Sequence, residues 1–234
     1  MLFTILLTVV AFAADPDAIP TYEETLPSTP SSQTANKRMY DKVYFDHETT
    51  FYCGCAYVNK VPVLTSCGLD LDSMGTRANQ TEVEHVVPAS AFGRTRPCWA
   101  SGGRDECLRK ASPVYDSVFD TFHSDLHNLV PSVGHLNAIR SDFSMGLVEG
   151  DVNPFGACDF EYSLDDDKVE PPAHVRGDIA RIYFYVEHTY GLQLTYGERH
   201  LFRAWHAADP VDEWEIERDK RIETLQGNSN PFVR

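Results

Sequence analysis

Glu82-Val83-Glu84-His85-Val86-Val87-Pro88-Ala89 is the stretch of the sequence from which the fold and the site can be built. Its valines favour a β-strand, and the proline ends it because proline cannot donate to a strand ladder. Neighbours in a strand point to opposite faces, so Glu84 and His85 can serve one site only beside a bend or a cleft. Taken alone, the pair is equally compatible with a half-exposed strand in which His85 is a structural side chain.

Three later segments decide between these interpretations. They are Gly102-Gly103-Arg104, residues 125–129 (Asp-Leu-His-Asn-Leu) and residues 131–140 (Pro-Ser-Val-Gly-His-Leu-Asn-Ala-Ile-Arg). In this order the segments resemble the endonuclease I family of periplasmic and secreted non-specific nucleases. The resemblance implies an α+β single domain in which a ββα-metal finger is embedded in a helix-rich scaffold with disulfides. In such a finger, a strand histidine and an asparagine of the following helix flank one divalent cation.

Four side chains are candidates for phosphodiester hydrolysis. Glu84 and Asn137 can supply the sparse oxygen ligands that one Mg²⁺ takes in proteins, with Mn²⁺ or Ca²⁺ as substitutes. His85 can accept a proton from water because an imidazole titrates near neutral pH. Arg104 can hold a phosphate oxygen through its planar guanidinium. The resemblance implies the same roles for these four residues.

Two neighbouring side chains are predicted to support the site. Asn128 is more plausible as a residue that fixes its loop through backbone hydrogen bonds than as a metal ligand. His127 is expected to support the same loop. We therefore predict that both residues stabilise the site without binding the metal.

Two other functions remain open. His123 and His127 form an H-x3-H pair with His135 downstream, which would fit a zinc hydrolase, although the Glu-x-x-His pattern of a zincin is missing. A catalytically impaired, exported binding module is the second alternative. It is favoured by the net charge and by the side chains that replace the usual family residues around the site: Val83, Val130, Ala138, Ile139 and Ser141.

Export is expected from the beginning of the chain. Residues 1–13 are apolar apart from two threonines and end in Ala-Phe-Ala, which predicts a signal peptide, although its start lacks a basic residue. Residues 14–36 are predicted to be a leader or mobile pro-segment because four prolines lie among serines and threonines. Residues 37–234 then form the nuclease domain, secreted or periplasmic, and no stretch is a membrane candidate.

Six cysteines in an exported chain indicate disulfides, and six allow 15 pairings. Cys98 and Cys107 are close neighbours on either side of the Gly-Gly-Arg segment, which favours that pair. Cys55 with Cys67, and Cys53 with Cys158, would complete the set. The sequence alone does not choose among the alternatives.

The formal net charge of −15 is unusual for a nuclease, because an acidic protein repels a polyanion. The charge is uneven. Basic side chains outnumber acidic ones between residues 84 and 113, whereas residues 159–170 are strongly acidic. We expect DNA and also RNA as partners, bound without sequence specificity because no base-reading motif occurs, and a monomeric protein.

The secondary structure is clearest near the C-terminus. Pro171-Pro172 opens a predicted helix that Gly191 closes, and capping-box patterns at Thr195–Glu198 and Asp212–Glu215 predict two more. The finger helix is predicted over 136–143. The other predictions are β-structure over 51–64 with a turn at Asn59-Lys60, a long loop over 94–113, and irregular chain over 114–129.

Overall fold

The computed structural model describes residues 26–69, 74–150 and 154–234, and its centre is a strand pair followed by a helix. Strand β3 (Thr81–His85) pairs antiparallel with β4 (Leu129–Val133), so that Glu84 lies opposite Val130. Helix α5 (Gly134–Arg140) follows β4 directly. This arrangement confirms the predicted α+β class and the ββα order, with the helix beginning and ending slightly earlier than expected.

The predicted loop over 94–113 is wrong, because most of it is helical. Helix α3 (Pro97–Leu108) is broken at Gly102 and Gly103, where Gly103 has a φ of 69°. Nine residues of straight helix would span about 13 Å, yet the Cα atoms of Cys98 and Cys107 are 4.8 Å apart and their sulfurs are bonded. The break lets the chain fold back so that the disulfide can form, since a bridge needs Cα atoms within about 7 Å.

The irregular chain predicted over 114–129 is also wrong in part. Helix α4 (Ser117–His123) lies inside it, and the Asp116 side chain caps that helix by accepting hydrogen bonds from the backbone N–H of Val118 and Phe119. Its apolar residues are too few for a clear helical period in the sequence. Burial of Phe119 against the core stabilises the short helix instead.

Three C-terminal helices form the scaffold, as predicted: α6 (Arg176–Tyr190), α7 (Tyr196–Ala208) and α8 (Glu213–Gln226). Both capping boxes are present, at Thr195–Glu198 and Asp212–Glu215. Gly191 ends α6 in the left-handed conformation, with a φ of 72°, which a residue with a side chain rarely adopts. Local signals therefore located these helices correctly.

The scaffold holds the segment that leads into β4. The Asp125 carboxylate accepts hydrogen bonds of 2.6 Å each from the hydroxyls of Tyr185 and Tyr190, both on α6. It also accepts one of 2.7 Å from the amide of Gln226, at the end of α8. All four side chains are buried, so the chain just before the finger has one fixed position.

The remaining regular structure is short. Strands β1 (Tyr57–Val58) and β2 (Val61–Pro62) form a hairpin. Its turn residues Asn59 and Lys60 both have positive φ, which confirms the predicted turn. Three further strands, β5 (Ser144–Met145), β6 (Glu161–Ser163) and β7 (Lys168–Glu170), form a sheet with the order β5-β7-β6. Helix α2 spans Ala89–Gly93, between β3 and α3. In the described ranges, no helix is long and apolar enough to cross a membrane.

The cysteines form the three predicted disulfides: Cys53–Cys158, Cys55–Cys67 and Cys98–Cys107. The first joins residues 105 positions apart, so it ties the segment before β1 to the segment before β6. The disulfide prediction is therefore confirmed in full, although the sequence alone had left other pairings open.

The predicted boundaries between the signal peptide, the leader and the nuclease domain remain predictions. The signal peptide over 1–13 lies outside the described residues, as does the leader up to residue 25. The described end of the leader contains helix α1 (Ser32–Arg38), in which Ala35 is fully buried. Residues on both sides of the expected boundary at 36 therefore pack onto the domain.

Candidate active site

The four side chains predicted to carry the chemistry line one cleft, whose volume is about 610 Å³. Glu84 and His85 come from the end of β3, Asn137 from α5, and Arg104 from the second half of α3. His85 is the last residue of β3, the chain bends at Val86 and Val87 directly after it, and both neighbouring residues line the same space. Three separate parts of the chain thus converge on one concave surface.

Glu84 is a buried carboxylate with two polar neighbours. Its Oε1 atom accepts a hydrogen bond of 2.8 Å from the hydroxyl of Tyr52 and lies 3.5 Å from Nε of Arg140. Burial raises the pKa of Glu84, while the positive charge of Arg140 and the Tyr52 hydrogen bond act in the opposite direction. A cation in the cleft would favour the ionised form further, and a carboxylate is a ligand that Mg²⁺ prefers.

His85 has a defined tautomer. Its Nε2 atom is 2.9 Å from the carbonyl oxygen of His123. Because a carbonyl can only accept, the proton lies on Nε2, and Nδ1 carries the lone pair. Burial lowers the pKa of His85 to about 4, so the ring is neutral at neutral pH. A neutral imidazole with a free Nδ1 has the form that a general base requires.

Asn137 is held by a carboxylate that the sequence analysis did not assign. Its amide Nδ2 donates a hydrogen bond of 2.8 Å to Oε2 of Glu82. The amide oxygen is therefore the atom left for other partners. It is a neutral, hard donor of the kind that Mg²⁺ accepts beside a carboxylate, so the residues present fit such an ion.

Arg104 follows the break in α3 and lies on the cleft wall. Its side chain is 57% exposed, and the carboxylate of Asp105 is 3.9 Å from its Nε atom. That separation is beyond a hydrogen bond, so the guanidinium can turn towards an incoming anion. The Cys98–Cys107 disulfide closes the bend that presents it.

The two supporting residues make the contacts expected of structural side chains. Asn128 accepts from the backbone N–H of Val87 at 2.7 Å and donates to the carbonyl of the same residue at 3.0 Å. His127 is buried against Tyr185, and its Nε2 donates to the carbonyl of Asn228 at 3.1 Å. Neither side chain lines the cleft.

The three histidines of the zinc alternative lie in separate surroundings. The ring of His123 is 4.5 Å from that of His85, whereas His127 is buried against the scaffold. His135 accepts a hydrogen bond of 3.3 Å from the backbone N–H of Gly75. Within the described part of the chain, no group of three or more His, Cys, Asp or Glu side chains is placed to hold a metal ion.

Sequence reasoning missed three side chains that act on the candidate residues. Arg140 follows Asn137 by three residues on α5, and that helical spacing could have placed both on one face. Tyr52 lies at the start of the segment predicted as β-structure, and nothing local links it to Glu84. Glu82 and Glu84 are two positions apart on β3, and side chains two positions apart in a strand lie on the same face.

The cleft has a more balanced charge than the whole chain. Three arginines and three carboxylates line it: Arg77, Arg104, Arg140, Glu84, Asp105 and Asp142. The acidic segment 159–170 contributes no residue to it. The overall charge of −15 is therefore not the charge that a bound molecule would meet in the cleft.

Comparison with known proteins identifies the family of this chain. The Endonuclease I family model matches residues 21–234. The chain belongs to the endonuclease I family. An extracellular deoxyribonuclease of Aeromonas hydrophila is 39% identical over 214 residues, which cover 89% of this chain and 92% of that protein. A periplasmic deoxyribonuclease of the same organism is 40% identical over 197 residues, covering 82% and 81%.

An endonuclease-1 of Buchnera aphidicola subsp. Acyrthosiphon pisum (strain APS) is 39% identical over 196 residues, which cover 82% of this chain and 76% of that protein. Family membership over nearly the whole chain, together with the extracellular and periplasmic locations in these names, indicates an exported nuclease.

Proposed function

We propose that this endonuclease I family member hydrolyses phosphodiester bonds of DNA, and also of RNA, without sequence specificity and with one divalent cation. Mg²⁺ is the expected ion, with Mn²⁺ or Ca²⁺ as substitutes. The proposal depends on one observation: Glu84, His85, Arg104 and Asn137 line the same cleft. The deoxyribonuclease names of the relatives support DNA as a substrate.

Glu84 and Asn137 would hold the cation, which supplies positive charge for the phosphoryl oxygens and the leaving oxygen. His85 takes a proton at Nδ1 from the attacking water, because its Nε2 is occupied by the His123 carbonyl. The water oxygen bonds to phosphorus as the phosphorus–oxygen bond of the leaving group breaks. Arg104 holds a non-bridging phosphate oxygen.

These roles concern the phosphate group, which DNA and RNA share, and they explain why activity on both is proposed. All four side chains that line the cleft come from one chain, which supports a monomer as the active form. The protein is thus proposed to act as a monomer on nucleic acid outside the cytoplasm.

A nicking assay on supercoiled plasmid tests the proposal. The purified protein should convert plasmid to the open-circular form, lose this activity in EDTA, and regain it with Mg²⁺. Rescue by Zn²⁺ but not by Mg²⁺ would instead support the zinc hydrolase. Binding of plasmid without cleavage under all metal conditions would support the impaired binding module.

A further inference from the structure

The Glu82 carboxylate accepts four hydrogen bonds, although it was not among the predicted site residues. Oε1 accepts hydrogen bonds of 2.9 Å from Nε of Arg77 and 3.0 Å from the amide of Gln80. Oε2 accepts from a second nitrogen of Arg77 and, at 2.8 Å, from Nδ2 of Asn137. All four donors are N–H groups, and two of them belong to the Arg77 guanidinium, so Glu82 presents both of its oxygens as hydrogen-bond acceptors.

The backbone leaves space for this carboxylate. Gly134 is the first residue of α5, and a Cβ atom there would lie 2.8 Å from Oε1 of Glu82 and 2.5 Å from the carbonyl oxygen of Arg77. Both distances are too short for a real side chain. The close approach of α5 to Glu82 therefore depends on glycine at this position.

An ionised carboxylate has a property that an amide lacks: it can only accept hydrogen bonds. Asn137 must consequently turn its NH₂ group towards Glu82, which directs its oxygen away from Glu82. An asparagine with no such partner can flip and present either atom. Only the oxygen can bind a cation, so the orientation of this amide decides whether Asn137 is a ligand.

We propose that Glu82 is a positioning residue that fixes the Asn137 amide with its oxygen available to the divalent cation. This inference rests on the proposed function, in which Asn137 is a ligand. Glu82 is not itself a ligand in this reading, because both of its oxygens are already occupied by Arg77, Gln80 and Asn137. It acts through Asn137 alone.

Glu82→Gln is the direct test, with Mg²⁺ binding measured by calorimetry. The glutamine has nearly the same size, but its NH₂ group can face Asn137 and let that amide flip. The dissociation constant for Mg²⁺ should rise about 10- to 100-fold, the usual effect of losing a partner that orients a ligand. Glu187→Gln is the matched control, because it breaks another carboxylate–arginine pair, with Arg199, away from the cleft.

A compensating variant separates positioning from a general loss of structure. Aspartate at position 137 has two equivalent oxygens and needs no partner to choose between them. Glu82→Gln combined with Asn137→Asp should therefore bind Mg²⁺ more tightly than Glu82→Gln alone. In an Asn137→Ala background, Glu82→Gln should change the dissociation constant no further.

The outcomes are distinct for the two proposals. If the wild-type protein binds no Mg²⁺, the metal in the proposed function is wrong. If the wild-type protein binds Mg²⁺ and Glu82→Gln binds it equally well, only the positioning role is wrong. The positioning role is also wrong if Glu82→Gln binds Mg²⁺ more weakly and the added Asn137→Asp does not restore binding. In that case the effect of Glu82 would not pass through the Asn137 amide.

Discussion

Removing the Cys98–Cys107 disulfide, by Cys98→Ala with Cys107→Ala, should lower both stability and substrate binding. The bridge closes a loop with a sequence separation of 9. The loop-closure entropy for about ten residues corresponds to a loss of about 2.7 kcal/mol in the free energy of unfolding at 25 °C. Urea denaturation monitored by fluorescence would measure this loss.

The same loop presents Arg104 to the cleft. Without the bridge, the two halves of α3 can move apart, because only the backbone at Gly102-Gly103 then joins them. We therefore expect a higher KM for plasmid DNA, with a smaller change in kcat, since phosphate binding is affected more than proton transfer. Initial nicking rates over a range of DNA concentrations would separate the two constants.

The Cys55–Cys67 bridge is the matched control. Its sequence separation of 12 predicts a loss of about 2.9 kcal/mol, nearly the same as for the first bridge, and neither cysteine lines the cleft. Both double variants should thus lose similar stability, whereas only the first should raise KM. Equal KM values in the two variants would refute the reasoning that the bridge positions Arg104.

Three further outcomes are expected. His85→Ala should lower the nicking rate by about two to four orders of magnitude, with little change in the Mg²⁺ affinity measured by calorimetry. Glu84→Ala should weaken Mg²⁺ binding and regain some of its nicking rate in excess metal. The reverse pattern would show that the histidine is a metal ligand. Arg104→Ala should reduce the slope of log binding constant against log salt by about one, measured by fluorescence anisotropy. Burial raises the pKa of Asp116, but hydrogen bonds from Arg96 and from the backbone N–H groups of Phe119 and Val118 together lower it. The resulting stabilisation is present above the unfolded pKa of about 3.9 and is lost as the pH falls below it. Arg96→Met should therefore flatten the acid limb of a pH series of melting temperatures.

The elements that the sequence predicted correctly are those with local signals. The capping boxes at Thr195–Glu198 and Asp212–Glu215 need only neighbouring residues, and so does the left-handed Gly191 that ends α6. Strand β3 ends at His85, close to the end that Pro88 predicts. Such features form wherever the surrounding fold permits a helix or a strand, so they can be recognised without it.

The errors fall where distant contacts decide the structure. Helix α3 bends back because a disulfide and two glycines act together, and a glycine pair in a sequence is equally typical of a loop. The contact between Glu82 and Asn137 joins residues 55 positions apart. It depends on the β3–β4 register and on the close approach of α5, neither of which the local sequence contains.

The distribution of charge, more than its total, governs how this acidic chain meets a polyanion. Asp165, Asp166 and Asp167 are exposed in the turn between β6 and β7, and none of them lines the cleft. At physiological ionic strength, charges separated by more than about 8 Å of solvent are largely screened. An acidic side chain that lies farther than this from the bound phosphate therefore slows the encounter chiefly at low salt. Once the phosphate lies in the cleft, the nearby arginines and the candidate cation site dominate, because those groups act at contact distance.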